Sequence, residues 1–212
     1  MSPESRAPAE PVGLLEGLLT TRAIRRYTSD PVPDDDLAEI LRHAGCAPSG
    51  SNRQPFRFLV LRDGPNARRA RAVLGASFRS GWESKRRHDG YRPSRFADSM
   101  QAFVDGFEQV PVVVLVCLDR YRAPTPYEGA SVYPACQNLL LAARALGYGG
   151  ALTMWHLAVE AELRGILSIP DSAALSACIT LGVPAGHHGP LRRKPVGEIT
   201  FDDAWGEAPT WV

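Results

Sequence analysis

Val110-Pro-Val-Val-Val-Leu-Val-Cys-Leu118 leaves little freedom in how it folds. The run is apolar without alternation and dominated by β-branched residues, which favours a strand covered on both faces. It is far shorter than the roughly 20 apolar residues that cross a bilayer. It therefore predicts the centre of a sheet with helices packed on either side.

The rest of the chain supplies those layers. Val12–Thr21 places Leu14, Leu15, Leu18 and Leu19 at helical spacing. Pro33 and the acids Asp34–Asp36 open a second helix over Asp34–Gly45, with Leu37, Ile40 and Leu41 on its buried face. Phe56–Leu61 reads as a strand covered on both sides, and Asn66–Ala76 as a helix with one basic, solvated face. Residues 77–106 mix Phe78, Trp82, Tyr91, Phe96 and Phe103 with many charges, and Gly81, Gly90 and Pro93 read as breaks. This stretch is expected to be a mobile, partly helical excursion, serving as a lid or an interface arm. Ala130–Leu146 is a helix apolar nearly all round, suited to a core or a subunit interface. Gly147-Tyr-Gly-Gly150 leads into Ala151–Trp155. A helix over Ala158–Leu167 and a strand over Ala174–Val183 follow. The tail carries Phe201, Trp205 and Trp211 and is expected to pack on the body or on a partner. Helices and strands interleave without a repeat or linker, which predicts one α+β domain over residues 12–212. Met1–Pro11 reads as a flexible leader, lacking the basic start and apolar core of a signal peptide.

With 44% hydrophobic residues in 212, the chain can bury a full core. A net charge of +1 gives no global attraction to nucleic acid. Cys46, Cys117, Cys136 and Cys178 form no C-x-x-C pair, so they read as reduced residues of a cytoplasmic protein. No P-loop, no G-x-G-x-x-G opening a helix and no G-x-S-x-G elbow is present. His187-His188 has no third ligand at metal spacing, and no metal or catalytic side chain is assigned.

What remains is a polar turn and scattered arginines. Residues 46–56, Cys-Ala-Pro-Ser-Gly-Ser-Asn-Arg-Gln-Pro-Phe, are too polar and too rich in Pro and Gly to be packing material. Arg22 and Arg25 lie near the start and Arg193 near the end. Taken alone, the first cluster also fits a solvated helix end. Arginine binds phosphate bidentately, so the two clusters could converge on one phosphate. The turn and the Gly-rich 147–155 stretch could hold a flat heterocycle. This constellation suits a phosphorylated aromatic cofactor better than a catalytic triad.

Four segments, in order, resemble the nitroreductase superfamily of FMN-dependent oxidoreductases. Arg22-Ala-Ile-Arg-Arg-Tyr27 with Pro31-Val-Pro33 is similar to its R-[SA]-[IV]-R-x-[FY] motif and following turn. Ala47–Phe56 is similar to A-P-S-[GS]-x-N-x-Q-P-[WF]. Gln137–Gly149 is similar to its buried Leu/Ala helix ending in G-x-G. Gly182-Val-Pro184 and Arg193-Lys-Pro-Val196 are similar to its closing motifs.

The resemblance implies an α+β sandwich with a central mixed β-sheet flanked by helices, forming an intertwined homodimer with FMN at the subunit interface. It implies that Arg22, with Ala23 beside it, and Arg193 bind the FMN phosphate, and that Arg25 approaches the flavin N1/O2 edge. Pro48, Ser49, Gly50 and Asn52 would reach the ring and ribityl chain from the partner, and Leu152 and Thr153 would lie near flavin N5. NAD(P)H would be the reductant and a nitroaromatic, quinone or similar molecule the acceptor, in a ping-pong mechanism without nucleic acid or membrane. A non-turnover flavin protein, a specialised dehalogenase, flavin-destructase or natural-product oxidase, and a structural dimer with a degenerate site are the alternatives. Thr21, Ala23 and Leu191 depart from the family pattern, removing a phosphate contact, a hydroxyl and a second basic residue.

Overall fold

In the computed structural model, which describes residues 12–88, 92–186, 188 and 191–212, four strands form one sheet. They are β1 (Phe56–Leu61), β2 (Val112–Asp119), β3 (Gly149–Thr153) and β4 (Ala173–Gly182), in the order β1-β2-β4-β3. The predicted central strand is indeed internal, as β2. Val113, Leu115 and Cys117 enter one core, while Val112, Val114, Val116 and Leu118 enter the other. A period of two with both faces buried produces its unbroken apolar run.

The first face is covered by α3 (Pro65–His88), α4 (Arg95–Asp105) and α6 (Glu160–Leu167), through Leu74, Phe78, Met100, Phe103 and Leu163. The second is covered by α2 (Asp34–Gly45) and α5 (Tyr133–Ala145), through Leu37, Ile40, Leu139 and Ala143. Pairing of β2 with β4 slips between Val116 and Cys117, where Ser176 is passed over. The slip swaps the faces of β4, so Leu175 and Cys178 share one core while Ala177, Ile179 and Leu181 share the other.

Several expectations need correction. The sheet is not mixed in its named strands: all three pairings are antiparallel, and the parallel element is an isolated bridge between Ala23 and Gly150. Strand β1 lies at an edge and is only partly covered, with Arg57 exposed, as suits an edge that must not recruit another strand. Residues 77–88 continue α3 through Gly81, and 95–105 form α4, whose Ser94 caps it. Phe78, Trp82 and Phe103 are buried in the first core, so their aromatic content is core packing.

The long apolar helix starts at Tyr133, after a 3-10 turn over Glu128–Ser131. The tail does not bury its aromatics on its own chain. Trp205 is 91% exposed, with the Phe201 ring tilted against it, centroids 4.7 Å apart. Met1–Pro11, Gly90, Tyr91 and His187 lie outside the described residues.

Candidate functional site

Helix α1 (Leu14–Thr20) delivers the chain to the free edge of β3. There Ala23 bridges Gly150, and the Ile24 amide donates to the Gly150 carbonyl at 2.8 Å. The ribbon then crosses to the end of β4, where Tyr27 bridges Pro184 and the Thr28 amide donates to the Val183 carbonyl at 2.9 Å. The Tyr27 hydroxyl meets Thr180 Oγ1 at 2.8 Å, and burial pushes its phenol well above the ordinary tyrosine range.

This docking explains the glycines. A Cβ on Gly149 would sit 2.6 Å from Ile24 Cγ1, and one on Gly150 would sit 2.6 Å from the Thr180 carbonyl oxygen. Gly147, with φ 81°, ends α5 in the left-handed conformation. The Gly-rich stretch thus lets the arginine ribbon approach the sheet.

Arg22, Ala23 and Arg193 line one cleft, with Gln137 and Leu140 of α5 and Leu191. Arg22 also borders an adjoining cleft of about 440 Å³, floored by Gly149 and Gly150. Arg193 is exposed and donates to the neighbouring Arg192 carbonyl at 3.0 Å. Two guanidinium groups from opposite ends of the sequence therefore share one wall, the arrangement that bidentate phosphate binding uses. Gln137, a polar residue on a largely apolar helix, joins them as a third donor that sequence reasoning had not singled out.

Arg25 faces elsewhere, into a depression formed with Phe103, Gly106 and Gln109 at the end of α4. It is half-buried, and desolvation lowers its pKa. Among the described residues no carboxylate lies within ion-pairing distance of it. Leu152 and Thr153 close β3, both half-buried, with Thr153 Oγ1 accepting from the Trp155 amide at 3.4 Å.

The polar turn is tightly wound. Ser51, Asn52 and Gln54 all have φ near 50°, a conformation that costs an L-residue roughly 1–2 kcal/mol. Ser49 Oγ accepts from the Gln54 amide at 2.9 Å, and Gln54 Nε2 donates to Asn52 Oδ1 at 3.1 Å. The bonds hold Pro48, Gly50 and Asn52 outward, all three exposed. Strain of this kind concentrates at functional sites. The turn leads into β1, however, at the opposite edge of the sheet from β3. Three strand spacings of ~4.8 Å separate those edges by about 14 Å. One chain therefore brings Arg22, Ala23 and Arg193 to one cleft, which Pro48, Ser49, Gly50 and Asn52 do not line.

His156, immediately beyond β3, gave no signal except as a lone His in an apolar stretch. It is fully buried, with Nε2 bonded to the Leu175 carbonyl at 3.1 Å and, among the described residues, no geometrically formed hydrogen bond at Nδ1. Among the described residues no group of three or more His, Cys, Asp or Glu is placed to hold a metal, and no helix is long and apolar enough to cross a membrane.

A sequence model of the nitroreductase family matches residues 18–183, spanning the arginine ribbon, the polar turn and all four strands. The chain belongs to the nitroreductase family. Within that family it is 30% identical over 200 residues to an NADH dehydrogenase of Thermus thermophilus, covering 86% of this chain and 92% of that one. It is 27% identical over 179 residues to an iodotyrosine deiodinase of Thermotoga neapolitana, covering 84% and 90%. A nitroreductase-fold structure from Desulfovibrio desulfuricans, solved in complex with FMN, superposes with a TM-score of 0.68 at 28% identity, covering 92% and 98%.

Proposed function

We propose that this nitroreductase-family chain is an FMN-dependent oxidoreductase that takes reducing equivalents from NAD(P)H and passes them to a small organic acceptor such as a nitroaromatic or quinone. The observation that carries this reading is the convergence of Arg22 and Arg193 on one cleft, beside a ribbon that also holds Arg25, a desolvated cation. The donor set fits FMN: two guanidinium groups for a phosphate, and a desolvated cation for an electron-rich ring edge. When bound, FMN supplies two-electron redox chemistry at its N5 position.

The chain's own residues bind and orient. Arg22 and Arg193 hold the phosphate, with Gln137 as a further donor. Arg25 places positive charge at the flavin N1/O2 edge, favouring the reduced, anionic cofactor electrostatically. Leu152 and Thr153 form the wall near N5. Because the turn at Pro48–Asn52 does not line the cleft of Arg22 and Arg193, it is assigned to the flavin of a second subunit. A homodimer also has support from the apolar surface this chain leaves uncovered: Leu14, Leu15 and Leu19 are each more than 70% exposed, and Trp205 is 91% exposed. Donor and acceptor occupy one place in turn, so initial-rate plots are expected to be parallel.

Purified protein is expected to be yellow and bleached by NAD(P)H. Arg193→Ala removes a charge-assisted contact and is expected to weaken FMN binding about 10–100-fold, read by fluorescence titration. A colourless protein that takes up no added FMN would end this reading. The deiodinase relative favours a second one, reductive dehalogenation of an aromatic. Halide release from a halotyrosine under reducing conditions, faster than menadione reduction, would establish it.

A further inference from the structure

Just beyond the polar turn, positive charge exceeds what the local acids neutralise. Asp119 is taken by Arg57, Nη2 to Oδ2 at 2.9 Å. Glu128 is held bidentately by Arg120, Nε to Oε1 at 2.8 Å and Nη2 to Oε2 at 3.0 Å. Those pairings leave Arg53 and Arg122. Arg122 acts on Glu128 only at a distance, and among the described residues neither arginine forms an ion pair.

Both lie on one ring. The Arg53 Cζ stands 4.4 Å from the Tyr121 ring centroid and the Arg122 Cζ 5.4 Å. A guanidinium lying over an aromatic face keeps its N–H edge available and loses less freedom when it binds. All three side chains are exposed. Arg53 directly follows Asn52, whose φ of 50° belongs to the wound turn. The stack is thus anchored to the segment that reaches the flavin.

We infer that Arg53, Tyr121 and Arg122 form an oxyanion-binding subsite at the rim of the second subunit's flavin cleft, selecting substrates that carry a carboxylate or phosphate beside the reacting ring. This rests on the flavin site proposed above. The oxyanion has two sources: a carboxylated aromatic acceptor, or the 2′-phosphate that distinguishes NADPH from NADH. Arginine's planar fork suits both.

The test compares wild type with the Arg53→Gln/Arg122→Gln double variant, which leaves Arg22, Arg25, Asn52 and Arg193 in place. Circular dichroism melting checks its fold. Acceptors are 4-nitrobenzoate and the neutral 4-nitrobenzamide, each with NADPH and NADH. A drop in kcat/KM of about tenfold or more for nitrobenzoate, with nitrobenzamide held within about twofold, assigns the subsite to the acceptor. An equivalent drop for NADPH alone assigns it to the nicotinamide donor. Equal effects on all four combinations, or no effect on any, overturn the inference.

Calorimetric titration of 4-nitrobenzoate into each protein gives a readout independent of turnover. Wild type is expected to bind it more tightly than the double variant, with affinity falling as salt rises. Wild type that is yellow and active, yet indistinguishable from the double variant in kinetics with NADPH and NADH and in this titration, retains the flavin reading and loses the subsite. Charge-selective binding by a protein that takes up no FMN keeps the anion site and ends the flavin reading.

Discussion

His156 illustrates how little a single residue discloses before its surroundings are known. In the fold its imidazole is fully enclosed, with Nε2 bonded to the Leu175 carbonyl. Burial is the main cause of its lowered pKa. It is therefore held neutral in the folded protein while the unfolded imidazole titrates near 6.5. As pH falls below about 6.5, the unfolded chain takes up a proton that the folded one refuses. Stability is lost from that pH downward until the lower folded pKa is reached. His156→Gln is expected to remove this contribution, which is at most about 1.4 kcal/mol per pH unit. Urea unfolding of both proteins at pH 7.5 and 5.5 measures it; a wild-type-to-variant difference independent of pH contradicts the assignment. Arg22 and Arg193 behave differently, because their types and motif positions already pointed to an anion. What no motif could tell is that Arg25 faces the end of α4, apart from the cleft that Arg22 and Arg193 share.

At the scale of elements, legibility followed burial pattern. Helix α2 occupies the predicted Asp34–Gly45, because its opening acids and one-sided apolar stripe are local features. Strand β1 matched its predicted Phe56–Leu61 for similar reasons. Within 77–106 the chain is more helical than expected. Gly81 suggested a break, yet a helical glycine costs only about 1 kcal/mol. Packing of Phe78 against Phe107, with centroids 4.5 Å apart, and edge-on against Trp155 at 5.3 Å outweighs that cost. Phe78→Ala is accordingly expected to destabilise the protein by about 3–5 kcal/mol, with a clear fall in the denaturation midpoint. A side chain on a solvent-exposed flap would cost within about 0.5 kcal/mol.

For the molecule as a whole, the decisive feature is that the cleft of Arg22 and Arg193 is not lined by the polar turn of the same chain. The polar turn and the arginine ribbon sit at opposite edges of a four-stranded sheet. Apolar side chains of α1 and of the tail face outward. The proposed homodimer would resolve both. Replacing Leu14 and Leu15, which are 71% and 74% exposed and line neither cleft, by glutamate places charge in the proposed interface. Sedimentation should then show a monomer with weakened FMN binding and an intact circular dichroism spectrum. A variant that remains a dimer with full flavin would place the interface elsewhere.

The division between sequence and structure follows from range. Side-chain periodicity, capping acids and glycine act over a few residues, so the sequence by itself determined the type and order of most elements, the central β2 and the family motifs. Antiparallel pairing, the edge position of β1, the course of α3 through Gly81 and the meeting of Arg22 with Arg193 depend on contacts between residues far apart in the chain. Those contacts are set by how all the layers bury their apolar faces at once, and only the tertiary structure decided them. The glycines join the two scales. Their place after α5 was visible in the sequence, but that a Cβ there would come within 2.6 Å of Ile24 and of the Thr180 carbonyl is a property of the fold alone.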